Sequence, residues 1–266
     1  MRHLIVLLCL IPLSSQASIN VVTSIQPLYL ITKSIMQGVA EPELLIKSTA
    51  SVHDFAFKPS QMRQLQKADL VIWIDRNFES GFQKLPEIIS GDTATIELLR
   101  VPGLKQQEGH IWYSPTLILL TVEQIQSTLG QIDPQNATVY RRNSTQLSEL
   151  VDSWGKKTYK QLMTNKPGYL LDHDFFGHFE KYMDVKSVAV LHDTNEQPPS
   201  IRELQRIESQ LTLTPAKCLL HNESRPSKLA QNIALKFNLP IYNIGQDSLD
   251  FMQSLQHISS TLLKCR

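Results

Sequence analysis

The sequence predicts an α/β protein of two lobes, each a mostly parallel sheet flanked by helices, joined by one long helix with a cleft between the lobes. Three observations predict it. β-Branched runs alternate with helical apolar patterns on both sides of the chain's middle. A single uninterrupted helical pattern, roughly Asn136 to Thr164, separates the two alternating stretches. At 266 residues the chain is long enough for two ordinary domains.

The elements follow in order. Arg2, the apolar run Leu4–Leu13 and the tripeptide Ser15-Gln16-Ala17 have the pattern of a secretory signal peptide, so residues 1–17 are expected to be removed and the rest exported to the periplasm. Cys9 sits mid-run without the small residues of a lipid-attachment site. Residues 18–133 are expected to form the first lobe. It has strands at Ile19–Thr23, Glu43–Ile46 and Leu70–Ile74, and helices at Pro27–Met36, Ser60–Ala68 with Ser60 as N-cap, and Pro115–Gly130. The connector, 134–165, would be about 43 Å long over Asn136–Thr164. Its apolar positions Leu147, Leu150, Val151, Trp154, Leu162 and Met163 fall mostly on one stripe. Residues 166–266 are expected to form the second lobe. Its strands are read at Gly168–Leu171, Val188–Leu191, Lys217–His221 and Ile241–Ile244. Its helices are read at Phe175–Met183, Ser200–Gln210, Pro226–Phe237 and Ser248–Leu263.

Composition narrows the function classes. With 26 basic and 25 acidic residues the net charge is +1, which gives no reason to expect nucleic acid or an anionic membrane surface as partner. A monomer is expected. Loss of residues 1–17 leaves Cys218 and Cys265. In an exported protein an even pair reads as one disulfide, worth roughly 4 kcal/mol on loop entropy. Two free thiols or a metal pair remain the alternatives, although Cys-x-x-Cys spacing is absent.

Seven histidines remain after cleavage, and three share a kind of position. His53 lies in the loop after the second strand. His110 stands just before Ile111-Trp112-Tyr113. His173 ends the strand that begins at Gly168. Asp247 follows the strand Ile241–Ile244 through Gly245. Ligands gather beyond the carboxyl ends of strands in open α/β sheets, so a cleft between lobes would bring these four face to face. Three imidazoles and a carboxylate make a good tetrahedral zinc site. Copper, nickel and iron also suit imidazole, and manganese prefers more carboxylate, so a manganese or iron carrier is the first alternative. A periplasmic zinc hydrolase would need an open metal position and a base such as Asp174 or Glu223; an adhesion protein with structural metal is a further alternative. No Gly-x-Ser-x-Gly, phosphate-binding glycine loop or His-Glu-x-x-His supports an enzyme. His192, ending a strand near the cleft, is the reserve ligand. His178 is expected to be partly exposed on a helix, His257 to lie on the closing helix, and His221 to pack near the disulfide.

Five blocks carry a resemblance: VVTSIQPLYLITKSI at the first strand, HDFAFKPSQMRQLQKADLVIW over 53–73, HIWYSP over 110–115, DHDFFGHFEKYMDV over 172–185 and IGQDSLD over 244–250. In this order, over nearly all of the chain after residue 17, they resemble the substrate-binding subunits of zinc and manganese ABC importers, specifically the zinc branch. The resemblance implies two lobes on one rigid helix and a metal held between them by His53, His110, His173 and Asp247. It implies a carrier that passes zinc to a membrane permease rather than an enzyme. A histidine at the position of His173 looks like a zinc binder, where a glutamate would look like a manganese binder, and the cysteine pair fits the zinc branch. The chain departs from many members in its 101–109 loop, which has no His and only Glu108 as an acid. The resemblance therefore carries no metal-gathering role over to that loop. Val52 stands where some members place a glutamate, which leaves the fourth position to Asp247 or a water.

Overall fold

The first lobe is built on four short strands, β1 (Val21–Thr23), β2 (Glu43–Leu44), β3 (Leu70–Trp73) and β4 (Ala94–Glu97). They lie in the order β2-β1-β3-β4, every pair parallel. Its helices are α1 (Gln26–Met36), α2 (Pro59–Gln66), α3 (Leu85–Ile88) and α4 (Pro115–Ile132), of which the first three connect successive strands and so allow parallel pairing. A computed structural model describes residues 18–47, 56–105, 107–193, 197–245 and 250–266. The expected signal peptide, His53 and Asp247 lie outside the described residues.

Two local readings of this lobe change. Ser60 is not the cap of α2. Pro59 takes the first helical position, where its missing N–H is no loss, and the Lys58 backbone N–H donates to the Gln61 side chain at 2.9 Å. β4 is not expected from the sequence. Only Ile96 of its four residues is buried, so an edge strand here shows little apolar pattern.

α5 (Ala137–Thr164) runs 28 residues, about 42 Å. Leu147, Val151, Trp154 and Leu162 are buried along it, but Leu150 and Met163 are 54% and 42% exposed. Each is one residue, about 100° of helix rotation, off the buried stripe. They therefore flank the packed face instead of joining it.

The second lobe repeats the plan with β5 (Tyr169–His173), α6 (Gly177–Met183), β6 (Ala189–His192), α7 (Ile201–Leu213), β7 (Cys218–His221), α8 (Lys228–Phe237), β8 (Ile241–Asn243) and α9 (Phe251–Leu262). Its order is β6-β5-β7-β8, again all parallel. Side chains alternate across this sheet. Leu170, Leu191 and Leu219 turn to one face and pack with Ile207 and Leu211 of α7 and Ile233 of α8. Tyr169, Leu171, Cys218 and Leu220 turn to the other and join a core that continues through the first lobe. Both faces are thus covered, which explains the near-continuous apolar strands. Cys218 and Cys265 form the expected disulfide, tying β7 to the residues after α9.

α5 packs against α1 and α4 of the first lobe and against α6 and α9 of the second. The Asn143 amide donates to the Ile35 and Gln37 carbonyls at 3.0 and 2.9 Å, closing the end of α1. Gly155 allows a close approach. A Cβ there would stand 2.9 Å from Pro115 of α4 and 3.0 Å from the Tyr182 hydroxyl of α6. A mid-helix glycine costs about 1 kcal/mol of helix propensity, and here it lets one turn touch both lobes.

Candidate metal centre

His173 is the last residue of β5, the central strand from which the order departs to β6 on one side and β7 on the other. This is the switch point where open parallel sheets leave a crevice. The strand runs two residues past the Leu171 end expected from sequence, so the imidazole is fixed by the sheet and not by a loop. Behind it, the buried Asp172 carboxylate accepts from the Ser227 hydroxyl at 2.6 Å and the Ser227 backbone N–H at 2.7 Å. The Ser227 hydroxyl also caps α8 by accepting from Ala230 N–H at 3.0 Å. His192 directs its Nδ1–H to the Asp172 carbonyl at 2.8 Å.

His110 belongs to the first lobe. It precedes a 3₁₀ turn, Ile111–Tyr113, that leads into α4. Its ring centroid is 5.7 Å from that of His173, and both residues are buried. Aromatic rings wall them in. Phe78 meets the His110 ring edge-on at 5.1 Å, Trp112 lies 5.2 Å from it, and Phe175 lies 5.0 Å from the His173 ring. Gly109 is required by this packing, because a Cβ there would fall 2.1 Å from the Phe78 ring.

Glu108 wraps His110 from outside. One carboxylate oxygen is 2.6 Å from His110 Nδ1, and the other accepts the His110 backbone N–H at 3.0 Å. Burial raises the Glu108 carboxyl, but its hydrogen bond to the His110 ring and the nearby His110 and His178 rings outweigh that and hold it below the ordinary value. A carboxylate acceptor assigns the proton of His110 to Nδ1 and leaves Nε2 unprotonated, the form able to bind a metal ion. Asp174, half-buried, is pushed up by burial and by the Glu108 charge.

The other histidines each make a definite contact. His178 is the second residue of α6, and only 11% of its side chain is exposed; its Nε2–H donates to the Glu108 carbonyl at 2.8 Å. His221 does not pack near the disulfide as expected. It lies three residues along β7 from Cys218, about 10 Å, and bonds the Glu223 carbonyl at 3.0 Å. His257 lies on α9, as expected, bonded to the Asn243 carbonyl at 2.9 Å. Among the described residues no three His, Cys, Asp or Glu side chains converge on a metal position. The pair His110 and His173 is what the described chain brings together. Sequence reasoning misses Glu108 and His178 as parts of the centre. The Glu-x-His spacing at 108–110 is the available signal for Glu108, whereas His178 reaches the centre from another lobe and leaves no local trace.

The family model for the periplasmic zinc-uptake complex component A, ZnuA, matches residues 21–265. The chain belongs to this family. The high-affinity zinc uptake system protein ZnuA of Haemophilus ducreyi is 24% identical, over 88% of this chain and 86% of that protein. The protein of the same name from Yersinia pestis is 27% identical over 76% of this chain and 75% of its own length. A crystal structure of ZnuA superposes with a TM-score of 0.83 at 17% identity, covering 94% of this chain and 99% of that one. At that identity the superposition bears on the fold, and it agrees with two parallel four-stranded sheets and a long central helix. Membership of ZnuA makes this chain one of a family of periplasmic substrate-binding transport components.

Proposed function

We propose that this chain captures Zn2+ in the periplasm and delivers it to the membrane permease of an ABC importer, holding the ion with His53, His110, His173 and Asp247. The observation that carries the reading is the meeting of two buried imidazoles from opposite lobes. A nitrogen sits about 2.0–2.1 Å from zinc. Two imidazoles on one tetrahedral ion then have ring centres about 5 Å apart, close to the 5.7 Å between His110 and His173. The zinc-uptake names of the relatives support the choice of metal and the importer as recipient. His53 and Asp247 enter from the family resemblance and from their places after β2 and β8. The division into a lobe at 18–133, a connector at 134–165 and a lobe at 166–266 belongs to the same reading, as does export by residues 1–17.

Zinc is cargo here, so the chain's work is to hold and release it. Glu108 fixes the tautomer of His110, and the end of β5 fixes His173. The aromatic wall keeps water from competing for the ion. A shell filled by protein side chains suits a carrier, since a catalytic zinc keeps a water position open. Calorimetry with a competing chelator tests the assignment. His110→Ala and His173→Ala should each weaken zinc binding more than about a hundredfold, beyond what an outer-shell partner costs. Unchanged affinity in both variants would remove these residues from the site.

A further inference from the structure

The contact between His178 and Glu108 joins the two lobes. His178 stands on α6, in the second lobe, whereas the 107–110 segment leads into α4 of the first. A carbonyl can only accept, so the 2.8 Å contact to Glu108 requires a proton on His178 Nε2. The same residue, Glu108, holds His110 by two bonds, one to the ring and one to the backbone. The chain His178–Glu108–His110 therefore runs from a helix of one lobe to a ring of the other. The two imidazoles of the centre are held differently. His173 is held by the sheet, but His110 sits in a non-strand segment with no ladder to fix it. Gly109, pressed on Phe78, adds no side chain of its own to anchor the segment.

We propose that His178 is a positioning residue: its Nε2–H latches the 107–110 segment to the second lobe and, through Glu108, sets the orientation of the His110 ring for the metal. This rests on the reading of His110 as a ligand, but the latch itself is a property of the metal-free protein. The latch ties ring orientation to lobe geometry. Separation of α6 from the 107–110 segment breaks the bond to the Glu108 carbonyl and loosens His110 at the same time. Any partner that parts the lobes thereby weakens one ligand without touching it.

Two variants separate the donor from the packing. His178→Phe keeps a ring and loses the donor. His178→Gln keeps an N–H at nearly the same reach. Zinc release is measured by chelator chase. His178→Phe should release zinc about three- to tenfold faster, the range for loss of one hydrogen bond, and His178→Gln should return to within about twofold of wild type. In the metal-free protein, long-range 15N–1H spectra should show the Nδ1–H form of the His110 ring in wild type and His178→Gln, and a tautomer mixture in His178→Phe. Wild-type release and an unaltered His110 ring in His178→Phe would overturn the proposal. Equal impairment of both variants would also overturn it, because the donor would then not be what matters. If the wild type binds no zinc while the His110 ring still responds to His178→Phe, the latch stands and the zinc-carrier reading falls.

Discussion

Cys218 and Cys265 are the cleanest place to test how the second lobe is held together. The disulfide closes a loop of 47 residues containing β7, α8, β8 and α9. Both cysteines are fully buried, and the adjoining backbone is already bonded: Gly168 N–H donates to the Cys265 carbonyl at 3.0 Å, and Lys217 N–H to the Gly168 carbonyl at 2.7 Å. The native chain end is therefore held in place without the bond, so its removal acts chiefly on the unfolded chain. Loop-closure entropy then gives a loss of about 4 kcal/mol for the Cys218→Ala/Cys265→Ala double variant. In a chain of this size that is a drop in Tm of roughly 8–16 °C, read by calorimetry on metal-free protein. The metal site should not notice. Tyr169 pairs with Cys218, and His173 lies four residues further along β5, about 13 Å away. Zinc affinity of the folded variant should stay within about twofold. A Tm within about two degrees of wild type would refute the loop-entropy argument. A large loss of affinity would refute the separation of the two ends of the sheet.

Two further perturbations follow from the first lobe. Glu79 is fully buried in the turn after β3, with the Ile74 N–H donating to it at 2.6 Å; burial pushes its carboxyl up to about 7, and the Ser24 hydroxyl and nearby backbone N–H groups only partly oppose this. A raised carboxyl favours the protonated native state, so the contribution of Glu79 to stability is full below about pH 4.5 and is lost as pH rises through about 7. Between about pH 4.5 and 8, Glu79→Gln should gain on wild type by up to about 3 kcal/mol, as a rise from 4.5 to about 7 implies, and parallel stability curves in denaturant titrations would contradict this. Gly109→Ala drives a methyl into the Phe78 ring, which supports His110. It should weaken zinc binding about tenfold or more with the helical circular dichroism unchanged, and wild-type affinity would show that Phe78 yields freely.

How much is legible in the sequence depends on what each feature is made of. The parallel strands are legible because burial on both faces writes Leu70-Val71-Ile72-Trp73 and Cys218-Leu219-Leu220 as unbroken apolar runs. β4 is not, because an edge strand with one buried residue has no such run. The long helix is legible from its period, but Leu150 and Met163 are misplaced, since a stripe defined only by apolar type cannot say which flanking residue meets a neighbour. The disulfide follows from counting cysteines. In the candidate metal centre, His110 and His173 are legible as histidines near strand or loop ends, and the structure brings them together. The support behind them is not. Asp172 with Ser227, 55 residues away, and His178 with Glu108, 70 residues away, are long-range contacts with no local spacing to betray them.

The most direct measurement is a crystal structure of the zinc-loaded protein with anomalous data collected at the zinc edge. One strong peak is expected between the lobes, about 2.0–2.2 Å from nitrogens of His53, His110 and His173 and from an oxygen of Asp247. A peak elsewhere, or a peak in the cleft that lacks the His110 or His173 ring, would contradict it.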